Sequence, residues 1–331
     1  MSTATANELG PNYVLPGEVA LEGPTSSDEA YQRLLERLCA VSVTKRYEAF
    51  KDIDWDDPEM KVDPDDSRWR LSKEHPLGGT HWYQSQPAEV QSRIGLNLIA
   101  TFCYTGRIFE GILSRGLLRF AAGQPHNSLE YRYAYHEVIE EAHHSLMFQE
   151  LVNRSGLPVP LISEDVLTNS DRIVEFGASF PEMLFIYALS GEDPIDYAQR
   201  QAMAKKVEMH PLSRRISQIH ITEEARHVSF ARAYLRRNVP RLSPERKEEM
   251  SLAVPTVLSV MSKMMMQAPE HIIQTYSIPE DVVDEAYVNN SAHRQTVVAS
   301  LAKIRTLCEE LGLMTPAATA MWHDAGLLPE R

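Results

Sequence analysis

Apolar residues recur three and four positions apart along most of the chain, the signature of helices that bury one face. Residues 88–123, "AEVQSRIGLNLIATFCYTGRIFEGILSRGLLRFAAG", form the longest such run; Pro87 can sit in its first turn, and Gly123 and Pro125 stop it. Asn127, with Glu130 three residues on, reads as the cap of a second helix ending near Gly156. Further helices are expected over 180–205, interrupted at "SGEDP", and over 211–237 before Pro240. The stretches "PERKEEMSLAVPTVLSVMSKMMMQ" and "NSAHRQTVVASLAKIRTLCEELG" have the same period, as does "TSSDEAYQRLLERLCAVSVTKRYEAF" nearer the start, with Thr, Ser and Asp as capping candidates. Alternating strand patterns, repeats and a glycine-rich phosphate loop are missing. The expected class is therefore all-α, with 1–25 as a flexible arm and 26–331 as a single domain.

Composition narrows the function. The 331 residues are 43% hydrophobic, enough for a large core, and the net charge of −13 disfavours nucleic acid and anionic membranes as partners. A small soluble molecule is the better default. Cys39, Cys103 and Cys308 are scattered and odd in number, so neither a disulfide framework nor a thiolate zinc site is indicated, and a cytoplasmic location is expected. The acid run "DIDWDDPEMKVDPDD" lacks EF-hand spacing and reads as a solvated loop. No apolar run approaches the ~20 residues of a spanning helix.

The chemistry is concentrated in "HEVIEEAHHSLMF", 136–148, where three glutamates and three histidines interrupt a core-facing helix. Glu141 and His144 stand at i and i+3, so both side chains can reach one ion. In "QIHITEEARHVSF", His220, Glu224 and His227 stand at i, i+4 and i+7, again one stripe. Dinuclear sites in helix bundles combine two such Glu-x-x-His helices with one glutamate from each of two further helices. Glu110 and Glu192, on the helices that precede the two motifs, complete that set. Four ligand glutamates, one charge each, neutralise two divalent ions, and mixed imidazole and carboxylate donors favour Fe, with Mn as the other choice. Glu140 and Glu223 each precede a ligand glutamate and are expected to back the histidines through their other ring nitrogen. His136, Glu137 and His143 are surplus to this scheme and are read as polar contacts on the outer side of the helix or at an interface.

The order Glu, ExxH, Glu, HxxxExxH resembles that of the bacterial diiron arylamine N-oxygenases, over about 87–240. His220 distinguishes it from the double ExxH of reductase small subunits, desaturases and multicomponent monooxygenases. The resemblance implies a ferritin-like bundle, usually a homodimer, with Glu110, Glu141, His144, Glu192, His220, Glu224 and His227 as iron ligands. It implies O2 as co-substrate, an external electron donor such as a reductase, and oxidation of an aromatic amine through hydroxylamine and nitroso stages to nitro. The loop between Glu110 and Glu141 is shorter than in p-aminobenzoate N-oxygenase, and a small insertion lies between Glu192 and His220, so substrate identity stays open. An aliphatic amine or amino acid, C–H oxidation by a hydroxylase or desaturase, and a non-enzymatic iron-binding bundle are the alternatives. A radical-generating subunit would need one of Tyr104, Tyr133, Tyr135 or Tyr187 beside the metal.

Overall fold

The structure, a computed structural model, describes residues 28–157, 162–204 and 208–329; the expected arm 1–25 lies outside them. In chain order the α-helices are α1 (Asp28–Thr44), α2 (His81–Gln84), α3 (Ala88–Ala122), α4 (Leu129–Ser155), α5 (Glu164–Ser179) and α6 (Pro181–Ala204). They continue with α7 (Pro211–Asn238), α8 (Pro244–Met266), α9 (Glu270–Thr275), α10 (Glu280–Val283), α11 (Ser291–Ser300), α12 (Ala302–Glu310) and α13 (Pro316–Asp324). Among the described residues there is no strand, and the fold is an all-α, ferritin-like bundle. Its centre is built from two intimately packed pairs, α3 with α4 and α6 with α7, closed by contacts of α3 with α6 and α4 with α7.

Each of three central helices is apolar at both ends of its inward face and polar between. On α3, Ala100 and Cys103 enter one core and Leu113, Leu117 and Phe120 another, with Glu110 between them. On α4, Tyr133 and Ala134 join the second core and Met147, Phe148 and Leu151 the first, with 137–144 between. On α7, Ile216 and Ile219 lie in the first and Phe230 and Ala231 in the second, with 220–227 between. A polar layer is thus sealed above and below by packed side chains. The larger core is an aromatic cluster in which Phe120 meets Phe185 and Tyr234 edge-on, both at 5.3 Å between centroids. Edge-to-face pairs of this kind add to plain area burial.

Four expectations change in detail. Pro87 precedes α3 as its N-cap residue rather than occupying its first turn. Ser128, not Asn127, caps α4: its Oγ accepts the Tyr131 N–H at 3.1 Å, while the Glu130 carboxylate is drawn to Arg237 at 3.2 Å instead of folding back. Helix α6 runs unbroken through "SGEDP". Pro194 costs it one backbone hydrogen bond, but residues 182–186 and 188–195 are buried and Asp193 forms a buried ion pair with Arg232 of α7, so tertiary packing holds the helix together. Helix α5 is a further element for which the sequence reading supplied no expectation. The acid run carries a 3-10 turn, Pro58–Met60, capped by Asp57, and its last residue, Asp66, caps a second one directly after it, Ser67–Trp69. Ile53 and Trp55 inside it are buried, and Trp69 just after it is buried and stacks on His210 at 3.9 Å, so the segment is anchored and not merely solvated.

Gly191 lies directly beneath the ring of Phe109, and any Cβ there would overlap it. The absent side chain lets α3 approach α6 at the level of Glu110. Gly191→Ala is expected to lower stability by about 1–3 kcal/mol through overpacking, measured by urea unfolding, and adding Phe109→Leu should restore part of that loss.

Candidate metal centre

Helices α3, α4, α6 and α7 bring all seven expected ligands into the sealed polar layer, each 2% exposed or less. His144 Nδ1 lies 2.9 Å from Glu141 Oε2, 3.2 Å from Glu224 Oε1 and 4.0 Å from Glu110 Oε1. His227 Nδ1 lies 3.0 Å from both Glu141 Oε1 and Glu224 Oε1. Glu141 and Glu224 therefore stand between the two histidines. His220 approaches from the side, its Nε2 3.6 Å from Glu110 Oε1, 3.9 Å from Glu192 Oε2 and 4.0 Å from Glu224 Oε1.

The opposite ring nitrogens are held by acids in crossed fashion. His144 Nε2–H donates to Glu223 Oε2 at 3.0 Å, and His227 Nε2–H donates to Glu140 Oε2 at 2.8 Å. Each backing acid thus belongs to the helix that does not carry its histidine, so the pairs tie α4 to α7 across the bundle. Arg226, buried, places Nη2 2.9 Å from Glu140 Oε1 and 3.4 Å from Glu223 Oε1, bridging both acids with one cation. The Tyr47 N–H donates to Glu223 Oε1 at 2.9 Å, and Gln199 Oε1 accepts from His220 Nδ1 at 3.2 Å. All three imidazoles are thereby oriented with one nitrogen turned to the carboxylates.

Several inward atoms have no hydrogen-bond partner: Glu110 Oε2, both oxygens of Glu192, Glu224 Oε2 and His220 Nε2. Orphaned buried polar atoms are costly and rare. Their convergence, with only oxygen and imidazole nitrogen as donors, fits cations bound among them. Two groups have donor atoms mutually within 4.8 Å: Glu110, His144, His220 and Glu224, and Glu137, Glu141 and His227.

The electrostatics show what happens without that charge. Burial, then neighbouring carboxylates, push Glu110 and Glu192 well above the ordinary carboxylate range. Burial works against the charge of Glu141 too, but His227 and His144 outweigh it and hold its pKa at about 2; Glu224 is likewise held well down. Burial also opposes charging of His144 and His227, yet their carboxylate partners raise both well above the usual histidine value. His220, which donates no hydrogen bond to a carboxylate, is pushed down to about 4 by burial. Protons on His144 and His227 occupy the directions that a cation would take.

Comparison with known proteins agrees with this geometry. The model of the p-aminobenzoate N-oxygenase AurF family matches residues 28–312. This chain belongs to that family. It is 36% identical to the uncharacterized proteins Rv0885 of Mycobacterium tuberculosis strain H37Rv and Mb0909 of Mycobacterium bovis, over 90% of its own length and 88% of theirs. No solved structure matches it. The family and the buried His/Glu cluster together support an oxygenase with a diiron centre.

One expectation is overturned. Glu137 does not lie on the outer side of α4; it is buried, with Oε2 unpartnered, beside Glu141 and His227. Its place four residues before Glu141 was the available signal. His143 does make an outer contact, accepting the Ala49 N–H at 3.3 Å. Gln199 carried no spacing signal, because its partner His220 lies on another helix; Arg226 stands three residues after Glu223, but its closer contact, Glu140, is on α4. Of the tyrosines, Tyr187 stacks on Phe109 at 4.7 Å, and its acidity is suppressed by burial and by Glu110 and Glu192; Tyr135 is exposed.

Metal entry must displace protons from His144 and His227. Both have folded pKa values raised above 6.5, so divalent-ion affinity should keep climbing as pH rises beyond 6.5, where ordinary histidine sites level off. Calorimetric titration with Mn2+ in buffers of different ionisation enthalpy, at several pH values, reads both proton release and affinity. Glu140→Ala and Glu223→Ala should each weaken binding by about 10- to 100-fold, with the fold retained by circular dichroism.

Proposed function

We propose that the protein is a diiron N-oxygenase that converts an arylamine through hydroxylamine and nitroso stages to a nitro product. Its ligands are Glu110, Glu141, His144, Glu192, His220, Glu224 and His227, with O2 as co-substrate and electrons from an external reductase. A homodimer in the cytoplasm completes the reading. No helix among the described residues is long and apolar enough to cross a membrane.

The observation that carries the proposal is His220. It is buried, fixed through Nδ1 by Gln199, and turns a partnerless Nε2 toward Glu110 and Glu192. A third neutral imidazole is the feature that separates the N-oxygenase pattern from two-histidine centres. Glu110, Glu141, His144, Glu192, His220, Glu224 and His227 would hold two iron ions, which when bound would pass electrons from the reductase to O2 and act as Lewis acids. The chain's own contribution is positional. Glu140 and Glu223, bridged by Arg226, fix the tautomer and tilt of the two motif histidines. The apolar layers on either side keep bulk water from the polar layer, which strengthens every charge interaction within it. Rings lie beside the layer: Phe109 stacks on Tyr187 at 4.7 Å, and Phe148 lies 5.5 Å from His220.

Iron-loaded protein supplied with a chemical reductant, O2 and a panel of aryl and alkyl amines should yield N-oxygenated arylamines by mass spectrometry. Oxidation at carbon alone, or no product with any amine while iron is bound, would contradict the proposal. His220→Ala should retain iron through the remaining donors, while N-oxygenation falls at least about tenfold, the scale set by a barrier change near 1.4 kcal/mol.

A further inference from the structure

Helix α7 places three donors at i, i+4 and i+7: His220, Glu224 and His227. Helix α4 repeats that register one for one, with Glu137, Glu141 and His144. In each case the outer position stands one turn before the motif glutamate. On α7 that position holds His220; on α4 it holds an acid that the family's Glu, ExxH, Glu, HxxxExxH order does not include.

Glu137 has the attributes of a ligand. It is 2% exposed, and its Oε2 has no hydrogen-bond partner. No arginine or lysine pairs with it among the described residues, in contrast to Glu140 and Glu223 with Arg226. One of its oxygens, one of Glu141 and a ring nitrogen of His227 lie mutually within 4.8 Å, a group distinct from the one formed by Glu110, His144, His220 and Glu224. A carboxylate kept in such a place without a cation would be strongly unfavourable.

We propose that Glu137 is an eighth donor of the centre, a carboxylate ligand to the ion held by His227. The inference rests on the diiron reading and refines it. It gives the two ions unlike surroundings: one is served by His144, His220 and Glu110, the other by His227 and a further acid. With Glu137 the centre carries five ligand carboxylates against the four positive charges of two divalent ions, an excess of one negative charge. That excess favours the more highly charged oxidation state of the metals, so removing it should make the centre easier to reduce.

The test is a chelator-competition titration of the metal-free full chain with Mn2+, on wild type, Glu137→Gln, Glu137→Ala and Glu110→Ala. Wild type should bind two ions. Both Glu137 variants should weaken one of the two by about 10- to 100-fold, no less than the loss of an outer-lying partner costs, and leave the other nearly unchanged. Glu110→Ala should weaken the other ion instead. In the iron-loaded protein, Glu137→Gln should raise the midpoint potential.

Two ions bound with wild-type affinity in both Glu137 variants would overturn this inference alone. A wild-type chain that binds no divalent ion would overturn the metal centre and this inference together.

Discussion

The fold turns on one constraint: Glu110, Glu137, Glu140, Glu141, Glu192, Glu223 and Glu224 are all buried in one layer of a helix bundle. Charges of one sign at this density are not tolerated in an apolar interior unless opposed. His144, His227 and Arg226 oppose them in the protein itself, and the crossed pairs His144–Glu223 and His227–Glu140 turn the opposition into a tie between α4 and α7. The orphaned oxygens of Glu110, Glu192 and Glu224 show where that compensation stops. Two cations placed there would finish it, and the same placement makes the layer a redox site.

The surrounding structure serves this layer. Gly191 lets α3 approach α6 so that Glu110 and Glu192 both reach His220. The aromatic cluster of Phe120, Phe185, Phe230 and Tyr234 fills one side, and Met147, Phe148 and Ile219 fill the other. The loop after α1 contributes through its backbone, with the Tyr47 N–H on Glu223 and the Ala49 N–H on His143. Distant parts of the chain are thus recruited to orient acids that in turn orient histidines.

Much of this was legible in the sequence because ligand spacing and helix period are the same signal. Glu141 with His144, and His220 with Glu224 and His227, fall on single helical stripes, so their convergence followed from period alone. Glu110 and Glu192 were found because a bundle site demands one acid from each remaining helix. The assignment failed where a contact joins residues on different helices, as with Arg226, Gln199 and the crossing of the backing acids. Glu137 was misplaced for another reason: the expected ligand count was already satisfied, and an extra acid was assigned to the surface although its register pointed inward. Helix α6 was expected to break because Pro194 argues locally for it, whereas the buried Asp193–Arg232 pair and packing on both sides decide otherwise.

The central claim, that two iron ions complete the buried polar layer, is tested most directly by a crystal structure of the iron-loaded protein with diffraction recorded on both sides of the iron absorption edge. Two anomalous peaks between Glu141 and Glu224, one beside His144 and one beside His227, are the predicted result. A layer without anomalous density, its carboxylates bridged by water and protonated side chains alone, would contradict it.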